Sequence, residues 1–349
     1  MKKMITLAAV AAISTSASAF DYKFNLEGRA DFQSSTTKTT TGGTTTEVKQ
    51  NGFNSNLIRL NMMGNINDTL SYRMRYRFNQ VPAGTTRDSS TTSLDYLYVD
   101  HKNSLFTTRF GKTNWAEAYG RESFISSTDL FLATAAYSAY NTNIGNYRFG
   151  VSATMTFMET QKLTLAISNP NTAVTDAGTE QKNTSLAYAA HYSSVMFDKM
   201  FQPTLSYTLA AQDGDAQAAT TKADYSMMAA GFRTEVANFI VDADWKQFKR
   251  EKRTTAGADD KTTSIFANLS YNINEFSPFV QYANDKFSDE LTSNAAEYKK
   301  NTYVAGVMFK PYTDVNFRYH LAYSMSKQKF DLPSEVKDNR IIFGIKADI

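Results

Sequence analysis

The chain has no cysteine. That excludes a disulfide scaffold, a thiolate metal site and a cysteine nucleophile. Only three histidines occur, His101, His191 and His320, and none stands in a recognisable Ser/His or His/Asp sequence constellation. Gly-x-Ser-x-Gly and His-Glu-x-x-His are both absent, so the usual carriers of hydrolytic chemistry are missing. No segment after the first residues holds 18 consecutive apolar side chains, which excludes a helical membrane protein. A formal charge of +3 over 349 residues gives no electrostatic footprint for nucleic acid. Tryptophan is nearly absent, with 2 residues against 20 Tyr and 24 Phe. Hydrophobic residues make up 42%, yet the mean hydropathy is −0.42. That pairing suits a chain that spaces its apolar residues rather than clustering them.

The first residues have a different character. Met1-Lys2-Lys3 is basic, Met4 to Ile13 is apolar, and Ala17-Ser18-Ala19 is a run of small residues. This order predicts a secretory signal peptide over residues 1–19, cleaved after Ala19. The mature chain, residues 20–349, then forms one domain and loses Lys2 and Lys3, leaving a formal charge of +1.

From Phe20 onward the sequence alternates. Tyr22, Phe24, Leu26, Gly28, Ala30 and Phe32 share one parity; Asp21, Lys23, Asn25, Glu27, Arg29, Asp31 and Gln33 share the other. A period of two is that of a β-strand. Similar segments recur to the end of the chain, divided alternately by tight turns and by Thr/Ser/Gly/Asp-rich stretches. This is the pattern of a transmembrane β-barrel with short periplasmic turns, long outer loops and a wet lumen. Closure pairs every backbone group and leaves no sheet edge. The predicted fold is all-β: one transmembrane antiparallel β-barrel of about 16 strands. Segments seven and eight have the weakest patterns, which leaves 14 or 18 open. The first segment is expected to end near Ser34, with a polar loop through Gln50. Pro203 and Pro278 fall inside predicted strands, an unfavourable position for proline.

Several stretches resemble the general bacterial outer-membrane porin family. They are Arg59-Leu60-Asn61-Met62-Met63-Gly64, Leu70-Ser71-Tyr72-Arg73-Met74-Arg75-Tyr76-Arg77-Phe78, Leu94 to Asp100, and Phe106-Thr107-Thr108-Arg109-Phe110-Gly111-Lys112. The segment 113–145, which lacks a sustained period of two, falls where the family's third loop belongs. The resemblance implies that this loop folds into the lumen as a constriction, and that the chain is a homotrimer in the outer membrane, in contact with lipid and lipopolysaccharide. The chain ends in Ile349, where the family's last strand usually ends in an aromatic.

Parity also assigns charges. If Leu70, Tyr72, Met74, Tyr76 and Phe78 face lipid, then Arg73, Arg75 and Arg77 face the lumen. The opposite register would put three arginines in hydrocarbon, at about 2–4 kcal/mol each near the midplane. Arg29, Arg59, Arg109 and Arg148 take the same inward parity. By the resemblance, such an arginine wall faces an acidic loop across the constriction. The loop charges available for that role are Glu117, Arg121, Glu122 and Asp129. A blander arrangement has the arginines paired with Glu27, Asp31 and Asp95. Asp242, Asp244 and Asp285 are assigned to the far wall, so ion preference stays open at this stage.

The expected function is passive diffusion of small hydrophilic solutes and ions through a water-filled channel, without enzymatic activity, cofactor or metal. The alternative is a solute-specific channel or a hydrophobic-substrate transporter, which Phe248, Phe266 and Phe279 keep open if they face inward.

Overall fold

The computed structural model describes residues 21–80, 91–114, 120–125, 129–169, 186–212, 223–252, 259–289 and 297–349. The predicted signal peptide lies outside the described residues. The first eight strands are β1 (Asp21–Thr41), β2 (Thr44–Asn65), β3 (Leu70–Gln80), β4 (Thr91–Lys102), β5 (Phe106–Asn114), β6 (Tyr147–Phe157), β7 (Gln161–Ser168) and β8 (Ala187–Ser193). They are followed by β9 (Gln202–Gln212), β10 (Ala223–Val236), β11 (Phe239–Lys252), β12 (Asp259–Tyr271), β13 (Phe276–Asp289), β14 (Tyr298–Phe309), β15 (Asn316–Phe330) and β16 (Ser334–Asp348). Every strand pairs antiparallel with its chain neighbours, and β1 pairs with β16 to close the barrel. Among the described residues one α-helix, α1 (Ala135–Asn143), lies between β5 and β6.

Burial reverses the order of a water-soluble protein. On β1, Glu27, Arg29 and Asp31 are buried, whereas Tyr22, Phe24 and Leu26 are 46, 54 and 44% exposed. The same inversion holds on β11, where Asp242, Asp244 and Lys246 are buried. In a closed barrel only the inward face can enclose side chains. The charges therefore point inward, and the apolar parity faces the surroundings. That arrangement is stable only where the surroundings are hydrocarbon.

Val280 on β13 tests this placement. Its side chain is 49% exposed on the outward parity. Val280→Arg is expected to destabilise the barrel by about 2–4 kcal/mol in lipid. Denaturant titration of the protein in vesicles measures it; an unchanged midpoint would mean that this face is not in hydrocarbon.

The stretch read as a polar loop after Ser34 is instead a ladder. β1 runs on to Thr41, and β2 begins at Thr44, with Thr41 opposite Thr44. β-branched threonines favour extended backbone. Gly42 and Gly43, with φ of +57° and +84°, supply the two left-handed residues that a tight hairpin turn requires. Composition suggested a loop because the hairpin is polar on both faces. Pro203 and Pro278 lie within the first three residues of β9 and β13, near strand starts, where proline is better tolerated.

Two bulges re-aim side chains. One shifts the β1–β2 register between Arg29 and Ala30, after which Phe32 and Phe53 meet on the outward face with ring centroids 5.2 Å apart. The other, at Arg75/Tyr76, leaves Asp95 unmatched between Leu94 and Tyr96. As a result Asp95 is buried inward and Tyr96 also turns inward beneath Arg75, whose guanidinium lies 3.8 Å from its ring centroid.

Candidate functional site: the charged inner wall and the segment packed on it

The inward face of β1–β6 carries the seven arginines assigned by parity, Arg29, Arg59, Arg73, Arg75, Arg77, Arg109 and Arg148. They do not stand alone. Asp95 receives Arg59 at 3.6 Å, Arg75 at 3.2 Å and Arg77 at 3.3 Å. Arg59 also meets Glu27 at 3.5 Å, Arg29 meets Asp31 at 2.9 Å, and Arg109 grips Asp100 with two bonds of 2.8 and 2.9 Å. Tyr147 Oη accepts from Arg75 and Arg77. Arg73 donates to Asn61 Oδ1 at 3.0 Å and lies 4.7 Å from the Tyr96 ring centroid. The blander pairing with Glu27, Asp31 and Asp95 is thus present, but the counts are unequal: seven arginines share Glu27, Asp31, Asp95 and Asp100.

The segment between β5 and β6 packs on the opposite part of the inner wall. A 3-10 turn at Arg121–Phe124 seats on β10 and β11. Arg121 Nε donates to Asp242 Oδ1 at 2.7 Å, and the Glu122 backbone N–H donates to Asp244 Oδ2 at 2.7 Å. Lys246 is fully buried between Glu122 and Asp244, 2.7 Å from the latter. Glu122 also accepts from the Thr134 backbone N–H and hydroxyl, at 3.1 and 2.6 Å. Close approach is what the glycines here allow. A Cβ on Gly231 would stand 2.5 Å from the Asp244 Cβ, and one on Gly120, at φ +84°, 2.9 Å from the Ala229 Cβ.

Thr134 then caps α1, its hydroxyl accepting from the Tyr137 N–H at 3.4 Å. Asp285 on β13 accepts from the Ala135 N–H at 2.9 Å, a carboxylate where a helix start favours one. The buried Tyr140 and Ile144 pack with Tyr225, Met227 and Phe248. Upstream, Leu130 O accepts from Arg29 Nη1 at 3.0 Å, and Phe131 stacks on Phe279 at 4.9 Å. Asp129 meets Arg318 of β15, and Lys346 of β16 at 3.5 Å.

The described loop acids Glu122 and Asp129 are paired with cations outside the seven arginines. Glu122 turns to Lys246 on the far wall, and Asp129 to Arg318 and Lys346 on β15 and β16, next to β1, where Lys346 registers with Arg29. Glu117 lies outside the described residues. The sequence reading put Asp242, Asp244 and Asp285 on the far wall, and they are there, beneath this segment. It missed Lys246, Arg318 and Lys346, although the alternation Asp242-x-Asp244-x-Lys246-x-Phe248 carries the signal. Phe248, Phe266 and Phe279 do face inward, but all three are buried. They form packing beneath the segment, not a path for solute. His320 meets Asp31 at 2.8 Å under the Phe131 ring, a pairing across 289 positions that no local motif reveals. His191 is also on the inner wall, 5.5 Å from Phe124 by ring centroid. A cavity of about 310 Å³ between β3–β5 and the segment is bounded by Arg73, Tyr96, Tyr98, Arg109, Ser123 and Phe124 among others.

Asp129 gives this contact a pH signature. Burial raises its pKa, but Arg318 and Lys346 lower it by more, so the carboxyl titrates below its ordinary value of 3.8. A folded pKa below the unfolded one means stabilisation present above the unfolded value and lost as pH falls through the folded one. The Asp129 contact is therefore expected to hold from pH 7 to 4 and to contribute a conductance step only in more acid solution. Asp129→Asn is expected to remove that acid step.

The sequence profile of a family described as Gram-negative porin matches residues 6–329. No curated protein matches the chain. Among solved structures, the outer-membrane channel DcaP of Acinetobacter baumannii superposes with a TM-score of 0.68 at 14% identity, over 95% of this chain and 97% of that one. The anion-selective porin of Comamonas acidovorans gives 0.64 at 9% identity, over 95% and 100%. OmpF of Salmonella typhi, in complex with daunomycin, gives 0.61 at 14% identity, over 94% and 97%. At these identities the superpositions show a shared fold.

Proposed function

The chain belongs to the Gram-negative porin family, and we propose that it is a passive diffusion channel of the outer membrane that favours small anions over cations. The observation that carries the preference is the unequal charge of the inner wall. Seven arginines face four carboxylates on β1–β6, while Asp242, Asp244, Glu122 and Asp129 are paired with Arg121, Lys246, Arg318 and Lys346 and Asp285 accepts from the Ala135 N–H and Ser264. A charged ring biases the ions that pass it. The segment 113–145 acts as the constriction, and Arg73, with Tyr96 and Tyr98 beside it, lies on the solute side. The route needs no cofactor and performs no chemistry on the solute.

Residues 1–19 are read as the export signal, and the assembly as a homotrimer. One structural relative, OmpT of Vibrio cholerae, is described in a trimer form, with a TM-score of 0.58 at 10% identity. The alternative of a hydrophobic-substrate transporter loses its support because the inward phenylalanines are covered. The test is the reversal potential of the purified protein in a planar bilayer across a tenfold KCl gradient. A potential of the sign set by chloride supports the reading. A potential of the sign set by potassium overturns the preference, and absence of conductance overturns the channel.

A further inference from the structure

Tyrosines on the strands of this barrel commonly face outward, as Tyr22, Tyr188, Tyr207, Tyr303, Tyr319 and Tyr323 do. Tyr96 and Tyr98 differ. Asp95 on β4 points inward, so simple alternation would turn Tyr96 and Tyr98 to hydrocarbon. The extra residue that β4 carries opposite Arg75/Tyr76 inverts the parity. Beyond it Tyr96, Tyr98 and Asp100 point inward, while Leu97 and Val99 are 46 and 42% exposed on the outer face. The two tyrosines hold guanidiniums flat against the wall. Arg73 lies 4.7 Å from the Tyr96 ring centroid, and Arg109 lies 3.9 Å from that of Tyr98.

These four side chains form one side of the cavity of about 310 Å³, and Ser123 and Phe124 of the 3-10 turn form the other. No carboxylate lines it. Asp100 neutralises Arg109 from outside the cavity with two hydrogen bonds. Arg73 donates to the neutral Asn61 and has no carboxylate partner among the described residues. The cavity therefore holds one uncompensated positive charge. Phe124 is 39% exposed, whereas the inward Phe248, Phe266 and Phe279 are no more than 3% exposed. An open aromatic ring and an unneutralised guanidinium thus share one space. Its volume is at the lower end of the range of small-molecule sites, about 300–1,000 Å³, which suits a solute of about one ring.

We infer that this cavity is a resting site for aromatic monocarboxylates passing through the channel, with the carboxylate on Arg73 and the ring against Phe124. The planar fork of a guanidinium matches a carboxylate, and ring packing on Phe124 supplies the second contact. An inorganic anion uses the first contact alone, and a neutral aromatic uses the second alone. A second carboxylate on the solute finds no cation to spare, because Arg109 is already held by Asp100. Binding through two modest contacts is weak enough for the solute to leave again, as conduction requires. The inference names a solute class for the anion-preferring channel proposed above and rests on that reading.

The test is block of the chloride current of the full mature barrel in a planar bilayer by benzoate, cyclohexanecarboxylate, acetate and benzamide. Benzoate is expected to half-block at a concentration about tenfold below acetate and about threefold below cyclohexanecarboxylate. Benzamide, which has the ring without the charge, is expected to need about tenfold more than benzoate. Arg73→Gln is expected to bring benzoate and benzamide together. Phe124→Leu is expected to bring benzoate and cyclohexanecarboxylate together; a retained chloride current shows that each variant is folded and open. Equal block of the wild type by benzoate and acetate would overturn the site, and so would a benzoate preference that survives in both variants. Equilibrium dialysis of benzoate against the barrel in detergent separates the two readings. Binding that needs Arg73, in a barrel that carries no chloride current, supports the site and overturns the channel. A chloride-selective channel that binds no benzoate overturns the site alone.

Discussion

Lys246→Met is expected to loosen the segment between β5 and β6 and to give larger, noisier current steps. The wild-type ammonium is fully buried with Glu122 on one side and Asp244 on the other. Burying three charges is costly in itself, so the triad is not a source of net stability simply because it exists. Removing one partner is a different matter. It leaves carboxylates with no counter-charge in a closed site, which costs about 3–5 kcal/mol. The hydrogen-bonded barrel does not depend on this contact; the loss falls on the docking of the 3-10 turn and of Thr134, which Glu122 holds. A variant that removes all three charges, Lys246→Met with Glu122→Gln and Asp244→Asn, is expected to recover much of the quiet conductance, because no charge is left unpaired. Planar-bilayer recordings of the two variants decide it. Quiet, wild-type steps from Lys246→Met alone would mean that the triad does not hold the segment.

The second large effect is on selectivity. Arg73→Glu is expected to move the reversal potential toward cations, with Arg73→Ala in between. Arg73 is the cleanest arginine to change, because its hydrogen bond runs to the neutral Asn61 and its face rests on Tyr96. Arg75 and Arg77, by comparison, share Asp95, so their loss also disturbs a carboxylate. A unit charge at about 5 Å in water is worth about 0.8 kcal/mol, or about fourfold in local ion concentration. Inverting one charge changes the wall by two units. Because anion and cation respond in opposite senses, the anion-to-cation ratio is expected to fall by at least about tenfold at low salt, and by less near 1 M, where screening shortens to about 3 Å. A ratio that does not respond to Arg73→Glu at low salt would place the selective point elsewhere in the lumen.

The barrel and the inward parity of the arginines were legible in one sequence, because a period of two is a local property. Side chains at i and i+2 share a face whatever the rest of the chain does. The expected count of about sixteen strands matches the sixteen of the closed barrel, and the error over residues 35–50 came from weighing composition above β-propensity. Facing is as far as such reasoning goes. Which charge meets which depends on register between strands and on where the loop comes to rest. Asp31 and His320 are 289 positions apart, and Glu122 and Lys246 are 124 apart. Only closure of the barrel brings β1 beside β16 and lays the segment from β5 against β11, with Arg29 and Arg148 reaching it at Leu130 and Tyr140. The sequence by itself determined the topology and the inward and outward parity of the wall, since both follow from backbone geometry and the exclusion of charge from hydrocarbon. The tertiary structure decided that Glu122 meets Lys246 on the far wall and that Asp129 meets Arg318 and Lys346 beside β1. Those are matters of long-range pairing, which no local pattern encodes.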